Sequence, residues 1–275
     1  LPLAVGRREK VDSLRKSLKG CFPFRLGTVS YIIPDDILPN VRYLADKVDD
    51  IELALCESDE LSNSPAEAAI AELADIACER ELTYTVHLPL DVFLGAKEEK
   101  RRAASVEKCL RVIHRTLPLR PFSYVIHLHG DRRGVSPSED LSRWQDQHRL
   151  SLERLVGAVP GRMLAVETLD YPFSLVEEIV SEFALSVCLD VGHLWLYGYD
   201  SSAAIERYKE AIRVIHLHGV EKGVDHKEIS TLSDSQVRSV LAAAEGGMSD
   251  RVVTLEVFGE TELHRSLETL RRLMV

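Results

Sequence analysis

A short β-branched or apolar run recurs eight times along the chain, and each run is followed by polar residues and then by a helical pattern. The predicted strands cover residues 24–29, 51–55, 83–88, 124–128, 164–167, 185–189, 214–217 and 252–256. Eight alternations of strand and helix predict an α/β protein with a single closed (β/α)8 TIM barrel. A doubly wound open sheet usually begins with a glycine-rich turn, and Gly27-Thr28-Val29 is not such a turn.

The helices have recognisable start signals. Ser64-Pro65-Ala66-Glu67 and Ser136-Pro137-Ser138-Glu139 both match a capping box that contains a proline. Further helices are predicted over 101–117, 174–183, 201–211, 234–245 and 261–274. Residues 1–20 are predicted to form a helical N-terminal extension, and residues 21–275 the barrel. The last helix could pack on its own barrel or on a partner chain, so the sequence leaves the oligomeric state open.

Composition excludes several classes of protein. The chain has 34 basic and 44 acidic residues, a net charge of −10, so we expect no nucleic-acid partner. No run approaches the ~18 apolar residues of a membrane helix, and the charged first twenty residues lack the apolar segment of a signal peptide. The five cysteines are isolated, which argues for a reducing cytoplasm and against disulfides or a cysteine zinc site. We therefore expect a cytoplasmic protein without a membrane partner.

Polar residues stand where the predicted strands end, which is where the active site of a TIM barrel lies. Glu167, Asp190 and Glu256 directly follow apolar runs. Carboxylates in such positions are almost never buried without a partner or a metal. Further polar residues are carried by the other strands or lie just after a strand: Glu52, His87, His127, His129, His193, His216, His218, Asp225 and His226.

This set of residues predicts a metal site. Imidazole and carboxylate ligands without thiolate suit Zn²⁺, Mn²⁺ or Fe²⁺. The number of ligands allows one to three ions, and a multi-ion cluster can clamp the attacking and leaving oxygens of a phosphoryl displacement. Within His127-Leu128-His129 and within His216-Leu217-His218 the two histidines share a face, so periodicity alone does not choose between them.

Several strings of residues carry a resemblance to a known superfamily. They are His87-Leu88-Pro89, Val166-Glu167-Thr168, Leu189-Asp190-Val191-Gly192-His193-Leu194, His216-Leu217-His218-Gly219 and Leu255-Glu256. With them the chain resembles the AP endonuclease family 2, or xylose isomerase-like, TIM-barrel superfamily, from the first strand through the eighth. The Asp-x-x-His string at 190–193 is the most specific of these.

The resemblance implies a set of ligands. The first histidine of each pair corresponds to the ligand, which favours His127 and His216. One ion would then be held by His87, His127 and Glu167, and a second by Glu167, Asp190, His216 and Glu256. A third would be held by His193, Asp225 and His226. The superfamily's loop signature is Asp-x-His, whereas Asp225 and His226 are adjacent, which puts the third ion or its geometry in question.

Two strings point to a narrower resemblance. Residues 22–34 and 83–91 are similar to the cobamide-remodelling phosphodiesterases of the CbiR type. This implies a corrinoid substrate whose nucleotide-loop phosphodiester is hydrolysed to cobinamide phosphate and α-ribazole. Glu167 is then expected to bridge ions, with Glu256 or Asp190 orienting the nucleophile. We expect a wide mouth with Tyr31, Trp195 and Tyr197 in its lining.

Other functions are weighed against this one. A sugar isomerase or epimerase needs one divalent ion, on Glu167, Asp190, His216 and Glu256, with the two glutamates relaying a proton. It leaves His87, His127 and His193 without a role. An AP endonuclease needs a basic groove, and the sequence has no such concentration of charge. A metal-free binding protein would have to retain all these residues without using them.

Overall fold

The computed structural model describes residues 17–56, 62–246 and 250–274. Its strands are β1 Arg25–Val29, β2 Asp50–Ala54, β3 Thr83–His87, β4 Ser123–Ile126, β5 Leu164–Glu167, β6 Ser186–Asp190, β7 Ile212–Leu217, β8 Gly219–Glu221, β9 Val224–Lys227 and β10 Val252–Leu255. Eight of them run parallel and close into a barrel in the order β1-β10-β7-β6-β5-β4-β3-β2, which confirms the predicted TIM barrel. The predicted N-terminal extension lies outside the described residues up to position 16, and residues 17–20 form coil and a turn.

Helices surround the barrel. They are α1 Ile37–Leu44, α2 Glu67–Arg80, α3 Glu99–Thr116, α4 Leu141–Val156, α5 Glu177–Glu182, α6 Val191–Leu196, α7 Ser201–Tyr208, α8 Asp234–Glu245 and α9 Glu260–Leu273. Helix α9 buries Leu263, Leu267 and Leu270. Its apolar face is therefore used within its own chain. Among the described helices, none is long and apolar enough to cross a membrane.

The two predicted capping boxes are wrong. Helix α2 begins after Ala66, which makes no side-chain cap, and α4 begins after Asp140, whose carboxylate accepts the Arg143 N–H. The Ser138 hydroxyl instead donates to Asp131, so contacts within the loop prevail over capping there. A capping box does form at Ser233, which opens α8.

The barrel interior explains where the polar side chains lie. Val125, Ala165, Cys188 and Val214, on four neighbouring strands, form a small buried apolar cluster. Strand side chains alternate with period two, so the residues two positions later point into the barrel one layer higher. Those residues are His127, Glu167, Asp190 and His216. The strand pattern therefore places them together at the C-terminal end of the barrel.

A hairpin follows β7. Its two strands, β8 and β9, pair antiparallel. Lys222 and Gly223 between them have φ values of 53° and 77°, the left-handed pair of a tight hairpin turn. Asp225 and His226, which the sequence placed in a loop, therefore lie on a strand. The positive φ values at the turn allow this hairpin in a segment without a strong apolar pattern.

Candidate metal centre

Glu167 lies at the centre of the site. It ends β5, is 1% exposed, and its Oε2 lies 2.8 Å from His127 Nε2 and 3.3 Å from His87 Nε2. Its other oxygen, Oε1, lies 3.3 Å from His193 Nδ1. One carboxylate therefore contacts histidines from β3, from the end of β4 and from α6. This is the arrangement expected of a bridging ligand.

Asp190 ends β6 and is fully buried. Its Oδ1 accepts the His193 backbone N–H at 2.7 Å and caps α6, while its Oδ2 lies 3.1 Å from His193 Nδ1. On the other side, Asp190 Oδ1 lies 3.1 Å from His218 Nε2. Because Asp190 caps α6, the first turn of that helix places the His193 side chain beside the Asp190 carboxylate. The Asp-x-x-His spacing therefore brings the two side chains together.

His216 lies between two carboxylates. Its Nε2 is 2.9 Å from Glu52 Oε2, and its Nδ1 is 3.1 Å from Glu256 Oε2. The same Nδ1 lies 3.8 Å from oxygens of Glu167 and Asp190. His216 therefore faces all three predicted carboxylates with one nitrogen and Glu52 with the other.

The β8–β9 hairpin brings two further side chains, Asp225 and His226, to the site. His226 lies 3.5 Å from Glu256 and 3.1 Å from Asp225. Its ring stacks on His218 with centroids 4.5 Å apart. Asp225 Oδ2 lies 3.9 Å from His193 Nε2. Although Asp225 and His226 are adjacent in sequence, both therefore reach His193 or its neighbours.

The two His-Leu-His pairs differ in their geometry. In the first pair, His127 contacts Glu167, whereas His129 Nε2 lies 2.9 Å from the Leu90 carbonyl oxygen, away from the carboxylates. In the second pair, both His216 and His218 face the carboxylate cluster. His193, His218 and His226 each offer a ligand nitrogen within 4.8 Å of the others.

The donor set fits divalent ions. His87 Nδ1 donates to the Leu88 carbonyl at 2.8 Å, so Nε2, which faces Glu167, is the nitrogen that would bind a metal ion. Within the described residues, His216 Nδ1 and Glu256 Oε2 are buried without a hydrogen-bond partner, although they are 3.1 Å apart. Burial raises the pKa of the nearby Cys188 thiol well above its usual range, which disfavours a thiolate at that position. Nitrogen and oxygen ligands alone suit Zn²⁺, Mn²⁺ or Fe²⁺.

Electrostatics couple the buried groups. Burial alone raises the pKa of Glu167, but His127 and His216 outweigh it and hold the pKa well below 4.5. In the same way, His218 and His193 outweigh burial and hold the pKa of Asp190 at about 2. Burial lowers the pKa of His87 and of His193, but their carboxylate neighbours raise these pKa values to about 9 and about 10. Metal binding must therefore displace protons from these imidazoles.

Two aromatic side chains lie beside the centre. The Phe258 ring lies 5.1 Å from that of His226, and the Tyr197 ring lies 6.1 Å from that of His193. Tyr31, also expected in the lining, is exposed on the loop after β1. Trp195 is half-buried: its Nε1 donates to Ser201 and its ring packs against the core.

The fold agrees with a comparison against known families. Residues 44–273 match the family described as "Xylose isomerase-like TIM barrel". This chain belongs to that family. The family match confirms the resemblance carried by the strand-end motifs. The members of this family are enzymes, and they generally bind divalent metals. A search of curated proteins found no match to the sequence.

Solved structures show the same xylose isomerase-like barrel. A D-tagatose 3-epimerase-like protein superposes with a TM-score of 0.73 at 18% identity, covering 91% of this chain and 97% of its own. The 3-keto-D-glucoside 4-epimerase of E. coli gives 0.70 at 16%, covering 91% and 99%. Endonuclease IV from Thermus thermophilus gives 0.68 at 22%, covering 91% and 98%. At these identities the likeness shows the fold alone.

In this member of the family, the structure brings all nine predicted ligands together, namely His87, His127, Glu167, Asp190, His193, His216, Asp225, His226 and Glu256. Two more residues join them that the predicted ligand set leaves out, Glu52 and His218. The alternation within β7 was a signal for His218. The acidic residue in the apolar run of β2 was a signal for Glu52.

Proposed function

We propose that this protein is a divalent-metal-dependent phosphodiesterase that hydrolyses the nucleotide-loop phosphodiester of cobamides to cobinamide phosphate and α-ribazole. The observation that carries the proposal is a many-ligand metal centre with two exposed aromatic side chains, Tyr197 and Phe258, beside its histidines. Among the described residues, six exposed large apolar side chains lie on segments that follow barrel strands: Tyr31, Leu90, Val135, Tyr197, Val224 and Phe258.

These exposed apolar side chains favour a large substrate that itself has apolar surface. A corrinoid macrocycle is wide and partly apolar, and it would cover such side chains on several loops at once. A free sugar is small and polar and would leave most of them exposed to water. Arg133, in the loop after β4, makes no hydrogen bond or ion pair within the described chain. It is available for the phosphodiester anion.

The residues divide the chemistry as follows. Bound divalent ions supply Lewis acidity toward water and phosphoryl oxygens. Glu167 contacts His127, which belongs to the first predicted ligand group, and His193, which belongs to the third, so it links the two groups.

The Glu256 and Asp190 carboxylates both contact histidines, but Glu256 Oε2 is buried without a hydrogen-bond partner among the described residues. Both oxygens of Asp190 are already engaged, since Oδ1 accepts the His193 backbone N–H and Oδ2 lies 3.3 Å from His218 Nε2. Glu256 is therefore the better placed of the two to orient water and accept its proton.

The reaction is a hydrolysis. The water oxygen forms a bond to phosphorus while the bond from phosphorus to the ribosyl oxygen breaks. The ribosyl oxygen leaves with a proton as the hydroxyl of α-ribazole, and the phosphate stays on cobinamide. The water-derived proton passes to the Glu256 carboxylate and from there to solvent, and the departing ribosyl oxygen takes its proton from solvent water.

The test is to incubate the protein, loaded with Zn²⁺ or Mn²⁺, with adenosylcobalamin and to separate the corrinoid products by chromatography. We expect cobinamide phosphate, and a loss of at least about 100-fold in the Glu167→Gln variant, since even residues that only support a metal ligand cost up to that much. Glu177→Gln is the control, because Glu177 pairs with Arg207 on the outer helices. Intact cobalamin with every metal would overturn the proposal.

A sugar epimerase is the second candidate. Glu167 and Glu256 both lie beside His216 Nδ1, at 3.8 and 3.1 Å, so two glutamates flank one ligand position. That is the geometry a proton relay on a sugar needs. Incubation with ketohexoses and analysis of the epimers separates the candidates. Epimer formation together with a stoichiometry of one ion would favour this second function.

A further inference from the structure

The contact between Glu52 and His216 crosses the barrel. The two residues are 164 positions apart, on strands β2 and β7, which are separated in the barrel by β1 and β10. Glu52 is 1% exposed and His216 is fully buried. Their side chains meet through the interior at 2.9 Å, between Glu52 Oε2 and His216 Nε2. Because both groups are shielded from water, the hydrogen bond is held in a fixed geometry.

The hydrogen bond decides which nitrogen of His216 carries the proton. An ionised carboxylate only accepts, so Nε2 must donate to Glu52. A metal ion binds only the neutral imidazole, which has one N–H, so in the metal-bound state a proton on Nε2 leaves the lone pair on Nδ1. That Nδ1 lies within 3.8 Å of oxygens of Glu256, Glu167 and Asp190, where it has no hydrogen-bond partner within the described chain.

Glu52 competes with Glu256 for this proton. If Glu52 were absent, a proton on Nδ1 could donate to Glu256 Oε2, which is 3.1 Å away. In that tautomer Nδ1 carries the proton, so it has no lone pair for a metal ion. A carboxylate on the far nitrogen of a metal-ligating histidine fixes the tautomer and makes the ligand more basic.

We propose that Glu52 is a positioning residue that holds the proton on His216 Nε2 and directs the Nδ1 lone pair to the divalent ion shared with Glu167, Asp190 and Glu256. The inference rests on the metal centre of the proposed function but not on its substrate. Its readouts are metal binding and histidine tautomer. A failed cobalamin assay therefore leaves it standing, and its own failure leaves the phosphodiesterase open.

A matched pair of buried carboxylates makes the experiment sharp. Asp50 lies on the same strand as Glu52 and is also fully buried, but its carboxylate bonds to Thr83 and Thr85. Zn²⁺ is titrated into metal-free protein against a chelator for the wild type and for Glu52→Leu, Glu52→Gln and Asp50→Asn. We expect one ion to bind about 100-fold more weakly in Glu52→Leu. Glu52→Gln, which keeps an acceptor oxygen, should lose about 10-fold, and Asp50→Asn should bind as the wild type.

Nitrogen NMR of the zinc-loaded wild type tests the tautomer directly, whether or not the variants fold. The His216 signals are assigned from their loss in His216→Gln. We expect a protonated Nε2 and a metal-shifted Nδ1. Zinc on Nε2, or unchanged zinc affinity in both folded Glu52 variants, would overturn the proposal.

Discussion

Helix α6 begins so close to strand β7 that a Cβ atom on Gly192 would lie 2.1 Å from Cε1 of His218. Real Cβ atoms essentially never approach another atom to within 3.0 Å. The absence of a side chain at position 192 therefore lets the His218 ring lie beneath the start of the helix that carries His193. The two histidine rings meet edge to face, 5.7 Å apart.

We accordingly expect Gly192→Ala to displace His218 and to weaken metal binding at His193, His218 and His226. Overpacking of this kind costs about 1–3 kcal/mol of stability. Metal content by mass spectrometry and urea unfolding of the metal-free protein measure the two effects. Gly246→Ala is the control, since its new Cβ would lie 3.3 Å from the nearest backbone atom. Full metal content in Gly192→Ala would show that His218 is not needed there.

The stability of the metal-free protein should fall in mildly alkaline solution. The pKa values of His87 and His193 are raised from 6.5 to about 9 and about 10, so their stabilising contribution is fully present below pH 6.5. It is lost as pH rises through the folded pKa values, by at least on the order of 1 kcal/mol for each histidine. Urea unfolding at pH 6.5, 8 and 10 measures this loss.

The metal-loaded protein supplies the contrast. Ligation needs neutral imidazole, so zinc binding strengthens as the pH rises above 6.5 and offsets the alkaline loss. The same urea series with saturating Zn²⁺ should therefore be flatter than the metal-free series. Identical slopes with and without zinc would mean that these histidines do not bind the metal.

Arg133 should contribute to substrate binding. Its guanidinium has no partner within the described chain, and a hydrogen bond to a charged group contributes about 1.5–3 kcal/mol. We expect Arg133→Ala to raise the KM for adenosylcobalamin by about 10-fold or more. Arg132→Ala is the comparison, because Arg132 already donates to the Ser136 carbonyl and to Glu139. Equal KM values in both variants would argue against the role of Arg133.

Substitution of Phe258 tests whether the exposed apolar side chains near the metal centre bind substrate. It is 52% exposed beside His226, and an aromatic contact of this kind contributes about 1 kcal/mol beyond the area it buries. Phe258→Ala should raise the KM for adenosylcobalamin about 10-fold and leave hydrolysis of the small diester bis(p-nitrophenyl) phosphate unchanged. Leu150→Ala, at an exposed position on α4, should change neither. Equal losses on both substrates would place Phe258 in the catalytic centre instead.

The local pattern of the sequence determined the barrel and most of its ligands. The backbone N–H and C=O groups of eight buried apolar runs can form hydrogen bonds only if the runs pair as strands. Because a helix lies between each two consecutive runs, the strands pair in parallel. Glu167, Asp190 and Glu256 could be recognised because a carboxylate directly after a buried strand has few stable alternatives to a partner or metal. The order of residues along one strand was enough for these predictions.

Closure of the barrel decided the rest. Glu52 meets His216 only because β2 and β7 face each other across the interior, a contact between residues 164 positions apart that no local periodicity encodes. His218 joins the centre because Gly192 admits its ring, and His226 because a hairpin turn brings β9 back so that the His226 ring stacks on His218. Sequence spacing sets which face a side chain occupies, but distances across a closed sheet are set by how all its strands pack together.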